Sequence, residues 1–305
     1  MNGMYKKVSV IIPTYGGGGG LDRTIDSILN QTYNNIEVII VDDNGLGSDN
    51  QKKTESVLAK YQTIDRVKYI TPEKNGGGSV ARNIGAKSSS GEYLMFLDDD
   101  DTVSEDKIER QVEALENGNE TYGLAYCSTK VYLGDQFSNI ITATQSGDIL
   151  EKYLFGKIYI GTGTALLIRE AWESIGGYDE SFARHQDWEF FARVLNKYHA
   201  IAVDGTYFHR YIVNRNLPKR LDVLDKNMEH YISFLKEYPF RLSSKTMRKV
   251  VNLNNSKTAL ICLKKKEYKL FREVMRRHDN LLGAYVAFFE FTFCALFDKL
   301  RGKKS

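Results

Sequence analysis

Tyr93-Leu94-Met95-Phe96-Leu97-Asp98-Asp99-Asp100-Asp101-Thr102 is the stretch whose reading decides the fold. The run from Tyr93 to Leu97 has the length and apolar character of a strand covered on both faces, and it stops abruptly at four acids. In open α/β sheets, ligands bind at the carboxyl ends of the strands. Adjacent carboxylates repel one another and raise one another's pKa, so a divalent cation is the natural neutraliser. Hard oxygen donors favour Mg2+ or Mn2+. The competing reading is a solvated acidic turn opening a helix near Ser104, where the helix dipole welcomes acids.

Upstream, Val8 to Ile12 form an apolar strand broken by Pro13 and then by five glycines, Gly16 to Gly20, which leave the loop sterically bare. Leu21, Ile25, Ile28 and Leu29 recur at helical spacing, predicting a helix over 22–32, and Ile36 to Val41 make a second buried strand ending in Asp42 and Asp43. A helix carrying Val57, Leu58 and Tyr61, a strand at 67–70, a glycine loop at 75–78 and a helix at 79–88 complete a strand–helix alternation, which specifies a mostly parallel sheet. Both acidic clusters then lie on one edge of that sheet.

Downstream, Ile108, Val112 and Leu115 mark a helix, and strands are expected at 124–131 and 164–168. Gly176-Gly177-Tyr178-Asp179 reads as a turn, 187–197 as a helix and 201–212 as extended chain. The composition then changes. Between Arg241 and His278 there are twelve Lys or Arg against two Glu, and between Leu281 and Phe297 a single charge, Glu290, stands among six aromatics. The latter segment is too short and polar for a membrane span. A basic segment beside an aromatic one suits docking to an anionic membrane surface; the alternative is a helix packed on the catalytic domain or on a twin subunit as a homodimer contact.

The 305 residues suffice for an α/β domain, 1–215, and a helical, basic and aromatic region, 216–305. A net charge of +3 is not that of a polyanion-seeking protein, and the basic helices carry no nucleic-acid recognition motif. Cys127, Cys262 and Cys294 show neither metal spacing nor a disulfide framework and read as reduced thiols of a cytosolic protein. Lys6 and Lys7 precede only a brief apolar run, so no signal peptide is expected.

The ordered set Val8-Ser9-Val10-Ile11-Ile12-Pro13-Thr14-Tyr15, Leu29-Asn30-Gln31-Thr32-Tyr33, Glu37-Val38-Ile39-Ile40-Val41-Asp42-Asp43, Asn75-Gly76-Gly77, Ala81-Arg82-Asn83, Gly91-Glu92-Tyr93, Phe96 to Asp101, Gly176-Gly177-Tyr178-Asp179-Glu180 and Gln186-Asp187-Trp188-Glu189 resembles the family-two inverting glycosyltransferases of the GT-A fold. Each motif is short; their order over about 215 residues makes the resemblance specific, and the C-terminal third lies outside it. One departure is that the family commonly has Asn after Pro-Thr-Tyr, where this chain has Gly16.

The resemblance implies a nucleotide-sugar donor, most often a UDP-sugar, lying across the strand ends. Asp43, with Asp42 beside it, corresponds to the acid that reads the uracil edge; Pro13 and Tyr15 line the base pocket, and Arg82 approaches the nucleotide or diphosphate. Asp98 and Asp100 match the Asp-x-Asp motif as metal ligands for Mn2+ or Mg2+, leaving Asp99 for ribose or sugar hydroxyls. Asp187 matches the base that takes the acceptor's proton. His209 lies where some relatives place a metal or phosphate contact, while Tyr178 and Trp188 are core or sugar-platform residues. The expected reaction is transfer to a saccharide acceptor, a polyprenyl-linked precursor of a bacterial surface polysaccharide, by an enzyme peripheral at the inner face of the cell membrane. Competing functions are a sugar nucleotidyltransferase, for which a basic phosphate loop should follow the first strand, and a silent donor-binding scaffold.

Overall fold

A computed structural model describes residues 6–212 and 221–278, together with 285, 288 and 289. Its elements run β1 (Val8–Thr14), α1 (Leu21–Leu29), β2 (Ile36–Asp42), α2 (Asp49–Leu58), β3 (Val67–Ile70), α3 (Gly78–Lys87), β4 (Tyr93–Phe96), β5 (Thr102–Val103), α4 (Lys107–Glu116), β6 (Tyr122–Leu133), β7 (Gln136–Ile141), α5 (Leu150–Leu154), β8 (Ala165–Ile168), α6 (Arg169–Ser174), α7 (Gln186–Lys197) and β9 (His199–Ile212). A second compact unit contains α8 (Leu221–Glu237), α9 (Ser244–Lys264) and α10 (Tyr268–Arg276).

The sheet is ordered β3-β2-β1-β4-β8-β6-β9-β5, with β7 on β6. Its first four strands are all parallel, as the strand–helix alternation requires. Beyond β4 the pairing becomes mixed: β8 is antiparallel to both β4 and β6, whereas β9 runs parallel to β6. Because β1, β2 and β4 are in parallel register, Thr14, Asp42 and the acids after Phe96 reach the same edge. The short β5 then pairs with β9, Thr102 opposite His209, and brings the end of β9 to that edge as well.

Val8, Val10, Ile12, Val38, Ile40, Met95 and Leu97 join Leu21, Ile25 and Ile28 of α1 and Ile108 of α4 in one core. On the other side of β4, Phe96 meets Tyr178 edge-on at 5.1 Å, and Tyr178 stacks on Phe190 at 4.0 Å. Such pairs add about 1 kcal/mol beyond area burial, and these tie α7 beneath the acidic edge. Tyr178 is therefore a core residue, 3% exposed.

Among the charged residues buried away from the acidic edge, Glu37 and Lys107 show how the interior holds them. Glu37 of β2 is held at about 2, well below the usual carboxylate range. Its own burial would raise it, but Lys68, the Ser90 N–H and hydroxyl and the Ser9 hydroxyl prevail. Lys107, at the start of α4, is fully buried without a carboxylate partner. It donates to Gln111 Oε1 at 2.6 Å, and Gln111 in turn donates to the carbonyls of Ala125 and Thr164.

In the second unit, α9 and α10 pack through Ala259, Cys262, Val274 and Met275, joined by Phe288. Arg277 makes a two-pronged contact with Asp225 of α8, both distances 2.7 Å. Most of the aromatic segment at 281–297, and Cys294 with it, lies outside the described residues. Among the described residues no helix is long and apolar enough to cross a membrane.

Burial pulls Lys107 down from 10.5 to about 8, with only the nearby Cys127 opposing it. The unfolded chain therefore binds the extra proton between those two values, and stability should rise with pH through that window. Urea titrations of the wild type and Lys107→Met should show the wild type gaining on the variant by about 3 kcal/mol between pH 8 and 10.5. Parallel profiles would refute the charged, buried lysine.

Candidate active site

Each acid at the sheet edge has its own surroundings. Asp42 is 1% exposed; its Oδ1 accepts from the backbone and side chain of Asn44, closing a turn on itself, and its Oδ2 accepts from the Tyr69 hydroxyl at 2.7 Å. Asp43 accepts from the N–H groups of Gly76 and Gly77 at 2.7 and 2.8 Å, one on each oxygen. It thus latches the glycine loop that opens α3, while each oxygen keeps a second lone pair for another donor. Asn75 completes the latch by donating to the Asp43 carbonyl.

In the quartet, Asp98 lies half-exposed and is paired with Arg82 at 2.6 Å. Asp99 accepts from the Thr14 hydroxyl at 2.5 Å and from the Tyr15 N–H at 3.4 Å. Burial pushes its carboxyl up to about 6; Thr14 opposes this, and the charges on Asp100 and Asp98 add to it. Asp101, 4% exposed, is pushed well above the usual range by burial and by Asp98, although the Tyr211 N–H donates to it at 2.8 Å. The backbone carbonyl of Asp100 accepts from Arg23, whose guanidinium lies over the Tyr211 ring.

Arg82, on α3, is 8% exposed and bridges Asp98 and Gln186, donating to the latter at 3.1 Å. Burial works against its charge, and Asp98 outweighs it. Asn83 beside it exchanges two hydrogen bonds with the backbone of Tyr178 and donates to Glu180. Arg193 of α7 donates to the carbonyls of Ile175 and Gly177 and pairs with buried Glu189. These braces fix the Gly176–Glu180 turn and the start of α7. Asp187 lies in that first turn, partly buried, with Oδ1 accepting from the Trp188 N–H at 3.0 Å. Its carboxyl is raised by burial; the Trp188 N–H and Arg82 oppose this, and Asp98 adds to it. Trp188 is 36% exposed and stacks on His185 at 4.4 Å.

Pro13 is the last residue but one of β1, before Thr14, and Tyr15 is 67% exposed at the mouth of the site. His209 touches the Ser104 hydroxyl at 3.3 Å and is lowered by burial and by Lys130. Its neighbour Arg210 is a residue the motifs did not single out. Arg210 donates to the Tyr159 hydroxyl at 3.1 Å, and its charge is sustained by Tyr159, Asp101, Asp98 and Asp187 against burial. The clue lay in the strand itself, because alternation along β9 sends His209 and Arg210 to opposite faces.

Among the described residues no three His, Cys, Asp or Glu are grouped to hold a metal ion. The donor set nevertheless suits Mg2+ or Mn2+ completed by substrate phosphates and water, which needs only one or two carboxylates. Asp99 and Asp101 are raised first by burial, and the neighbouring charges of Asp98 and Asp100 add to it.

The solved structures similar to this chain define the fold. TarS of S. aureus in complex with UDP-GlcNAc aligns with a TM-score of 0.60 at 17% identity, covering 81% of this chain and 70% of that one. The mannosyltransferase PcManGT from Pyrobaculum calidifontis, in complex with GDP-Man and Mn2+, aligns at 0.56 and 16%, covering 94% and 88%. The fold is GT-A. The profile of glycosyl transferase family 2 matches residues 9–175, more than half of the chain, and the protein belongs to that family. It is 31% identical over 191 residues to the amylovoran biosynthesis glycosyltransferase AmsB of Erwinia amylovora, covering 61% of this chain and 62% of that protein. It is 44% identical over 106 residues to the poly(ribitol-phosphate) β-N-acetylglucosaminyltransferase TarP of Staphylococcus aureus, covering 34% and 31%. The chain thus spans less than two-thirds of the length of both relatives.

The glycine run after β1 is shaped by the acids. Gly20 opens α1 at φ 114, and a Cβ there would lie 3.2 Å from the Asp99 carbonyl oxygen and 3.3 Å from Asp100 Cα. Gly16 also has positive φ, but a Cβ there would meet nothing within 4 Å. Both alanine variants carry backbone strain of about 1–3 kcal/mol, and only Gly20→Ala adds a clash with backbone. Thermal melts should place Gly20→Ala below Gly16→Ala by a few degrees, about 1 kcal/mol; equal melting would contradict the packing of this loop on the quartet.

Proposed function

We propose that this protein is a metal-dependent inverting glycosyltransferase that moves a sugar from a nucleotide-sugar donor, of the UDP-sugar class, to a saccharide acceptor. The observation that carries the reading is Asp187. It is a carboxylate made more basic by burial at the head of α7, within the electrostatic reach of Asp98 and of the arginines 82 and 210. The donor complexes of TarS with UDP-GlcNAc and of PcManGT with GDP-Man support a nucleotide-sugar donor, and the first of them supports the UDP class. The amylovoran biosynthesis named for AmsB and the poly(ribitol-phosphate) acceptor named for TarP support an acceptor belonging to a bacterial surface glycan. We extend that acceptor to a polyprenyl-linked precursor, with residues 1–215 as the catalytic domain and 216–305 as the region that meets the membrane surface or a second copy.

In this scheme Tyr15 stacks on the base beside Pro13, and Asp42 and Asp43 shape the pocket that reads its edge. Asp99 takes a ribose or sugar hydroxyl on the oxygen that Thr14 leaves open. Asp98 and Asp100 would hold Mn2+ or Mg2+, which supplies Lewis-acid stabilisation of the diphosphate when bound. Arg82, and Arg210 with Tyr159, add positive charge and a hydroxyl donor along the path of the leaving group. The acceptor oxygen attacks the anomeric carbon opposite the diphosphate as Asp187 takes its proton. The anomeric carbon–oxygen bond breaks, and the nucleoside diphosphate carries the electron pair away. His209 and Trp188 border this space as secondary contacts.

Asp187→Asn should bind donor as the wild type does yet lose transfer by about a hundredfold or more. Because the Asp187 carboxyl is raised, the acid limb of the wild-type kcat/KM profile should lie above the ordinary aspartate value of 3.8, activity being lost as pH falls through it. Undiminished transfer by Asp187→Asn would remove the base assignment, whereas donor binding without transfer by the wild type would leave a silent donor-binding protein.

A further inference from the structure

We propose that the turn joining α9 to α10 is a docking surface for anionic lipid headgroups; the inference rests on the reading of the acceptor as membrane-carried. Helix α9 closes with the Lys266 N–H on the Leu263 carbonyl at 3.0 Å and the Glu267 N–H on the Cys262 carbonyl at 2.9 Å. This closing pattern ordinarily places glycine in the left-handed conformation. Here the position is Lys266, at φ 62. A side chain is unfavourable in that conformation, so local folding does not select a lysine there. Lys269 is a second misfit. It sits in the first turn of α10, which contains no acid and where the helix dipole disfavours a cation. The dipole at the end of α9 accounts for Lys264 and Lys265 and favours the charge of Lys266, but it explains neither a side chain on the left-handed backbone at 266 nor the position of Lys269.

All four lysines are exposed and share the turn with one acid, Glu267. The interior of the hairpin is already filled by Ala259, Cys262, Val274 and Met275. Ile261, Leu263 and Tyr268 are left outside, 45%, 39% and 58% exposed. A hydrated polyanion would use the lysines and have no use for those three side chains. An anionic membrane surface takes both, the lysines at the phosphates and the apolar groups at the acyl boundary.

The test is co-sedimentation of the full chain with phosphatidylcholine vesicles, with and without phosphatidylserine, and with soluble polyphosphate as competitor. Lys266→Gly suits the turn better than the native residue, so lost binding cannot reflect a broken hairpin. It should weaken binding to phosphatidylserine vesicles about fivefold, and Lys266→Gly with Lys265→Gln and Lys269→Gln by roughly a hundredfold. Tyr268→Ser should weaken it further. No pelleting of the wild type, unchanged pelleting of the triple variant, or binding to polyphosphate without binding to vesicles would each overturn the proposal. Nucleotide titration of the same samples separates the two readings: wild type that pellets but binds no nucleotide sinks the transferase and leaves the lipid surface standing.

Discussion

The ion pair between Arg82 and Asp98 is the contact on which the geometry of the site depends. Its guanidinium is nearly buried, and it reaches the end of β4 on one side and Gln186, at the head of α7, on the other. Carboxylates facing a buried cation offset the cost of its burial, and cations relieve a crowded set of carboxylates. Each therefore specifies the other. Asn83 locks the next residue of α3 to the Tyr178 turn, and Arg193 locks that turn to α7. Movement of α3 would carry with it Asp98, the loop held by Asp43 and the first turn that presents Asp187.

The parallel half of the fold was legible because its strands are apolar runs of four to seven residues separated by helices of nine or ten. β5 has two residues, and α5 and α6 have five and six, too few for a period to declare itself. β7 exposes Phe137 and Ile140, so it does not read as a half-buried strand. The mixed pairing past β4 follows from contacts between distant segments, which no local pattern encodes. Glu37 is satisfied in the interior by Ser9, Lys68 and Ser90, partners brought from elsewhere, while Lys107 relies on Gln111 one turn along its own helix.

The site was legible at the level of which acids share an edge, since that follows from parallel strands. What each acid touches was not. Thr14 and Asp99 are 85 residues apart, and Gly77 and Asp43 are 34 apart. The same limit hid Arg210, which is brought to the acids by the pairing of β9 with β6 and β5. The glycine run, read as bare and flexible, includes one residue whose missing side chain is required by the backbone of the quartet.

The central claim is that the acidic edge holds a nucleotide diphosphate through a divalent cation. Calorimetric titration of the purified protein with UDP, GDP and dTDP, each with and without Mn2+, tests it most directly. The account predicts that UDP binds and that Mn2+ tightens it by about tenfold or more. Binding of none of the three, or UDP binding indifferent to Mn2+, would contradict it.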